Sequence, residues 1–359
     1  MTCRRRHRFA KDRAFTVGTT ARRLVLLGLL FALVQARAQT PASSPAGNPA
    51  AQKPSAGGAA PQAAPVNTLP PSARKGSGQG QFTIRAETTE VVLYATVVDG
   101  HQQMVTNLDK SNFSVYEDGT PQTISSFREE DVPVSMGILV DNSASMQTKR
   151  AAVNRAAIDL VRASNPEDET FIVNFSDEAF LDQDFTSSIP LLQKGLSHID
   201  SKGGTALYDA VIASADHLAK HATHPKQVIV IITDGEDNSS TATLEKTIHT
   251  VATDGPIVYA IGLLYDSSGP DAHVARKALQ SLAIQTGGLA FFPKSLDQVD
   301  PIAAEVARDI REQYIIAYHP TRPISAGGYR TVRVVAHAKG HHKLAVRTRA
   351  GYFATEFSH

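Results

Sequence analysis

The chain has 359 residues and is 42% hydrophobic, which is too long for one small domain and ample for a sizeable core, so two globular units are expected. Its formal net charge of +1 conceals an asymmetry: the first 38 residues hold nine of the 36 Lys and Arg but one of the 35 acidic residues, and the remainder carries a balance near −7. An acidic body argues against a nucleic-acid partner, and the single cysteine, Cys3, excludes a disulfide framework.

At the N-terminus, Arg4, Arg5, Arg6, Arg8, Lys11, Arg13, Arg22 and Arg23 precede the apolar run LVLLGLLFALV, which is followed by Ala36-Arg37-Ala38. A basic segment, a short apolar run and a small-x-small site read as a cleaved secretory signal over residues 1–38. The run is too short to span a bilayer comfortably, so no stable membrane span is expected after cleavage. "TARRLVL" fits the twin-arginine pattern poorly, and Cys3 lies ahead of the run, where it cannot be a lipoprotein acylation site. The expected destination is the periplasm, the cell surface or the medium. Residues 39–80 are Pro, Ala, Ser, Gly and Gln with little to fill a core, the composition of a flexible tether.

Ordered structure is expected from residue 81. Alternating apolar and polar residues between the turn signals Asp99-Gly100 and Asp118-Gly119 predict short antiparallel strands over 81–130. The same texture returns over 314–355 in "QYIIAYHP", "YRTVRVVAHA" and "KLAVRTRAGYF". Neither set can bury a core alone, so the two are expected to combine into a small β-sandwich with the middle of the chain inserted. That middle, residues 131–313, alternates continuous apolar runs with helix-period segments. The runs are "VSMGILV", "FIVNF", "VIVII" and "PIVYAIGLL"; Val153, Ala156, Ala157, Leu160 and Val161 share one helical face, and Leu207, Ala210, Val211, Ser214, Ala215 and Leu218 another. The pattern predicts an α/β domain with a doubly wound, mostly parallel sheet, ending in a helix over about 296–313.

In such a sheet the ligand site lies beyond the carboxyl ends of the central strands. Here the first run ends in Asp141-Asn142-Ser143-Ala144-Ser145 and the third in Thr233-Asp234-Gly235-Glu236-Asp237, while Gly203-Gly204-Thr205 precedes a helix between them. The three loops would offer Asp141, Ser143, Ser145, Thr205 and Asp234. Two carboxylates and three hydroxyls are hard donors that select Mg²⁺, Mn²⁺ or Ca²⁺ over zinc. Asp237, beside this set, is open to two readings, a second ion or a polarised loop.

Asp141-x-Ser143-x-Ser145, Thr205 in its Gly-Gly-Thr turn and Asp234 in "TDG" resemble the metal-ion-dependent adhesion site (MIDAS) of von Willebrand factor type A domains, over about 131–313. The flanks "VTNLDKSNFSVYEDGTPQTISSF" and "RTRAGYF" are similar to acidobacterial-type von Willebrand A-related secreted proteins. The resemblance implies a fold of Rossmann type, a bound divalent cation, and a protein partner whose exposed Asp or Glu completes the coordination. It implies an adhesion-type binding module and does not imply catalysis.

Other readings have weaker anchors. An envelope assembly component with an internally occupied metal site would use the same residues. A Mg²⁺-dependent hydrolase of the aspartyl-nucleophile kind needs a second aspartate two residues after Asp141, where Ser143 stands; no GxSxG or GxxxxGK[ST] motif is present. DxSxS alone can also be a helix N-cap. His217, His221 and His224 lack an HExxH glutamate and suggest a solvated helix face, and His341 and His342 suggest an exposed turn.

Overall fold

The computed structural model describes residues 90–354, apart from 198–200, 268 and 342. The expected signal, the tether, the first residues of the N-terminal strand segment and His342 lie outside the described residues.

The chain begins with β1 (Val91–Val98), β2 (Phe113–Glu117), β3 (Thr120–Gln122) and β4 (Ile124–Glu129). Asp118 and Gly119 adopt φ of 47° and 80°, the left-handed pair that a two-residue hairpin between β2 and β3 requires. The middle of the chain then runs β5 (Val134–Asp141), α1 (Arg150–Ala163), β6 (Glu169–Phe175), β7 (Ala179–Thr186), α2 (Ile189–Leu196), α3 (Leu207–His221) and β8 (Lys226–Thr233). It continues through α4 (Leu244–Asp254), β9 (Ile257–Gly262), α5 (Pro270–Thr286), β10 (Ala290–Phe291) and α6 (Val299–Arg311). The last strands are β11 (Tyr314–Tyr318), β12 (Tyr329–Ala336), β13 (Ala345–Arg347) and β14 (Gly351–Phe353).

The central sheet has the order β10-β9-β8-β5-β6-β7. All its pairs are parallel except β6 with β7. Every residue of β5 is buried, and the strand's alternation sorts its side chains into two cores. Met136, Ile138 and Val140 join Val153 and Leu160 of α1, Leu192 of α2 and Val306 of α6. Leu139 instead joins Val211 of α3, Val251 of α4 and Leu282 of α5. Helices therefore cover both faces, which is why the strands read as unbroken apolar runs.

The N- and C-terminal strands interleave in two further sheets, β13-β1-β11-β4 and β14-β12-β2-β3. One apolar cluster draws on both, including Leu93, Tyr314 and Ile316 from the first and Phe113, Val115 and Val334 from the second. A buried ion pair seals one part of it: Arg330 donates to Glu117 at 3.0 Å, and the hydroxyls of Tyr318 and Tyr352 both donate to the other Glu117 oxygen at 2.7 Å.

Three local differences from expectation have physical reasons. β7, with its polar "LDQD" centre, is an antiparallel edge strand, where one face needs no apolar cover. The final helix is shorter than expected: a 3-10 turn occupies Leu296–Gln298 and α6 stops at Arg311. His217 is only partly solvated, because its ring stacks on Phe185 at 5.1 Å and meets Asp184 at 2.9 Å, whereas His221 is exposed.

Candidate metal centre

Strand order reverses on either side of β5, since the chain crosses first to β6 and later returns to β8 on the opposite flank. That is the position where adjacent loops diverge and leave a crevice at the carboxyl ends. Asp141 is the last residue of β5, and Asp234 follows directly after β8.

Asp141 is fully buried. Its Oδ1 accepts the backbone N–H of Ser143 at 2.8 Å and its Oδ2 accepts the Thr233 hydroxyl at 2.5 Å. Burial raises its pKa above the usual carboxylate range; the Thr233 and Ser143 hydrogen bonds oppose that rise and the nearby Asp234 charge adds to it. The loop then turns so that Ser143 Oγ and Ser145 Oγ stand 3.1 Å apart, and Ser145 Oγ donates to Asp234 Oδ1 at 2.7 Å. Beneath this loop the buried Arg150 donates to the Asp141 carbonyl at 3.3 Å and to Asn174 Oδ1 at 2.8 Å, fixing the strand-to-helix transition.

Thr205 enters from the loop before α3. Its N–H donates to Asn238 Oδ1 at 2.8 Å, and its carbonyl accepts the N–H of Asn238 at 3.0 Å. A Cβ built on Gly235 would stand 3.6 Å from Thr205 Oγ1, so the hydroxyl lies beside the backbone that follows Asp234. The preceding glycines are needed for close approach: Gly203 has φ +80°, and a Cβ there would meet the Asp177 carboxylate at 2.2 Å. Asp177 in turn accepts the Gly204 N–H at 2.7 Å.

The structure thus links Asp141, Ser143, Ser145 and Asp234 at one strand edge and sets Thr205 next to them. Asp237 faces elsewhere, accepting the N–H of Tyr208 in the first turn of α3 at 2.8 Å and the hydroxyl of Ser240 at 2.5 Å. Its role here is to cap α3 from a neighbouring loop. His217, His221 and His224 also lie outside the set; His224, for one, is bonded to the Glu167 carbonyl at 3.0 Å.

Sequence reasoning missed Lys149. Its Nζ donates to Asp234 Oδ2 at 2.7 Å and lies 3.4 Å from Asp266 Oδ2 and 5.4 Å from the Tyr265 ring centroid. Burial by itself would lower the lysine pKa, but the hydrogen bond and charge of Asp234, the hydrogen bond to Asp266 and the Tyr265 ring raise it instead, so the side chain is a cation. Nothing in its spacing from Asp141 marks it. Thr233, the first residue of the "TDG" turn, and Asn238, three residues beyond it, were also missed.

The donor chemistry fits a hard cation: carboxylate and hydroxyl oxygens converge, without His or Cys. Among the described residues no group of three or more His, Cys, Asp or Glu side chains could hold a metal ion, so binding here would depend on the hydroxyls as much as on the carboxylates.

The family model of the von Willebrand factor type A domain matches residues 136–236, the stretch that contains all five of these residues. No curated protein matches the chain. Among solved structures, a von Willebrand factor type A protein from Catenulispora acidiphila is 13% identical over 74% of this chain and 75% of that one, with a TM-score of 0.43. An aerotolerance-related membrane protein from Bacteroides fragilis is 20% identical over 49% of this chain and 98% of its own, with a TM-score of 0.42. Proximal thread matrix protein 1 from the mussel byssus, with a zinc-occupied MIDAS motif, is 16% identical over 54% of this chain and 50% of that one, at a TM-score of 0.43. No helix among the described residues is long and apolar enough to cross a membrane.

Proposed function

We propose that the chain is an exported, tethered binding module whose α/β domain presents a divalent cation to an Asp or Glu of a protein partner. In this reading the domain is inserted into a β-sandwich formed by the two four-stranded sheets. The observation that carries the proposal is a set of linked contacts at the carboxyl edge of the central strands: the Ser143 N–H donates to Asp141 Oδ1 at 2.8 Å, Ser143 Oγ stands 3.1 Å from Ser145 Oγ, and Ser145 Oγ donates to Asp234 Oδ1 at 2.7 Å. Asp141, Ser143, Ser145, Thr205 and Asp234 would hold Mg²⁺, Mn²⁺ or Ca²⁺. The cation would supply Lewis acidity toward a carboxylate of the partner. The protein's own part is to exclude water around Asp141, orient the serine hydroxyls and hold Thr205 through Asn238.

Export rests on the basic and apolar segment of residues 1–38. The test is a pull-down from envelope and secreted fractions with Mg²⁺ and with EDTA, using Asp141→Ala as control. Capture of the same partner with Mg²⁺, in EDTA and by the variant would refute the reading.

A further inference from the structure

We infer that Lys149 is a built-in counter-cation of this site, seated on Asp234 without metal and given a second seat on Asp266 when a divalent cation enters. The inference rests on the metal-binding reading above and concerns how readily that site fills.

The backbone of Lys149 is pinned. Its N–H donates to the Met146 carbonyl at 2.9 Å, and its own carbonyl accepts the N–H groups of Ala152 and Val153, both at 3.1 Å, at the start of α1. Only the side chain has freedom, and it reaches into the site. The two oxygens of Asp234 are divided between two partners: Oδ1 takes the Ser145 hydroxyl and Oδ2 takes the ammonium, each at 2.7 Å. A cation that replaced the Ser145 proton at Oδ1 would stand one carboxylate away from Nζ.

Charge decides the outcome. Asp141 and Asp234 are both buried, and the adjoining Arg150 spends its hydrogen bonds on the Asp141 carbonyl, Asn174 and the Leu196 carbonyl. Lys149 is therefore the cation that offsets Asp234, with a side chain 8% exposed against 1% for the aspartate. An entering divalent cation would take over that neutralisation and repel the ammonium. Asp266 offers an alternative partner 3.4 Å away, on a side chain 58% exposed, beside the Tyr265 ring. Lys149 can thus leave Asp234 without becoming a buried, unpaired charge. The lysine weakens the site for metal, and Asp266 limits the weakening.

The experiment is calorimetric titration of the EDTA-stripped mature chain with MgCl₂ and with MnCl₂. Wild type is compared with Lys149→Met, Lys149→Gln, Asp266→Asn and the Lys149→Met/Asp266→Asn double variant, with circular dichroism to confirm folding. Removing the lysine should tighten Kd about tenfold, within the 5- to 150-fold span of coupled sites. Asp266→Asn should weaken binding about threefold in the wild-type background and much less once Lys149 is gone, since coupled residues are non-additive. Binding by Lys149→Met and Lys149→Gln no tighter than wild type overturns the counter-cation role while leaving the metal site intact. Equal weakening by Asp266→Asn in both backgrounds overturns the second seat. Metal binding by the lysine variants alone supports the inference in its strongest form. No binding by any variant overturns it together with the metal reading.

Discussion

Arg347 on β13 donates a 2.7 Å hydrogen bond to Asp309 in the last turn of α6, so the final helix of the α/β domain is tied to a strand of the terminal sheets. The other Asp309 oxygen accepts the Tyr259 hydroxyl at 2.8 Å, and Gln313, just beyond the helix, donates to Thr96 of β1 at 3.3 Å. Removing the guanidinium leaves a buried carboxylate with one neutral donor. Arg347→Met should therefore cost about 3 kcal/mol, the low end for breaking a buried pair because the arginine is partly exposed. Urea denaturation with an unchanged m-value is the check; a loss under 1 kcal/mol would place the holding force of this joint in apolar contacts instead.

Metal binding at the proposed site and the stability of the metal-free protein should oppose each other. Asp141 is buried with its pKa raised by that burial, so its ionised form costs stability in the absence of metal. The sign follows: a carboxyl whose folded pKa lies above its unfolded value stabilises most below the unfolded pKa, and that contribution is lost as pH rises through the folded one. In EDTA at neutral pH, Asp141→Asn should be at least as stable as wild type. With Mg²⁺ at a hundred times its Kd the order should reverse, because wild type gains about 2.7 kcal/mol by mass action and the variant gains none. Thermal melts with and without Mg²⁺ read both halves.

The sequence made the α/β architecture, and the meeting of the loops that carry the five proposed ligands, legible for the same reason. Burial on both faces writes itself as unbroken apolar runs such as "VSMGILV", and the sheet's topology dictates which run-ends meet. Lys149 was illegible because long-range pairing with Asp234, 85 residues away, leaves no periodic trace. Asp237 was ambiguous for a related reason: an aspartate capping a different helix across a loop has the same local sequence as one facing an ion. β7 escaped notice because an edge strand with polar centre lacks the continuous apolar signal of its neighbours.

Lys226 gives a pH test free of the metal site. It lies at the start of β8, fully buried, donating to the Ile310 carbonyl at the end of α6 and standing 5.1 Å from the Tyr94 ring centroid. Burial depresses its pKa to about 8, against partial opposition from Asp131, Asp309 and Asp168. A depressed folded pKa means that the unfolded chain binds more protons between about 8 and 10.5, so stability rises with pH across that window. The stability of wild type relative to Lys226→Met should climb by up to about 3 kcal/mol from pH 8 to 10.5, and stay flat from pH 6 to 7. A flat difference through the alkaline window would show that the ammonium is stabilised by its neighbours as fully as by water.

The terminal sheets should fail at one ion pair. Arg330 and Glu117 are 0% and 2% exposed, and each is held by further bonds: Arg330 donates to the Arg322 carbonyl at 2.7 Å, and Glu117 accepts from Tyr318 and Tyr352. Because β2 and β12 are neighbours in register, the pair lies within one sheet and crosses from the first strand segment to the last. Arg330→Met would strand a carboxylate among two phenols, costing about 3–5 kcal/mol. Replacing Glu117 with Gln in that same variant removes the stranded charge and should recover at least 1 kcal/mol, since the amide oxygen still accepts from a tyrosine. Urea unfolding of the two single variants and the double variant separates the outcomes. If the double variant is no more stable than Arg330→Met, the damage comes from lost packing around the guanidinium stem and not from the uncompensated carboxylate.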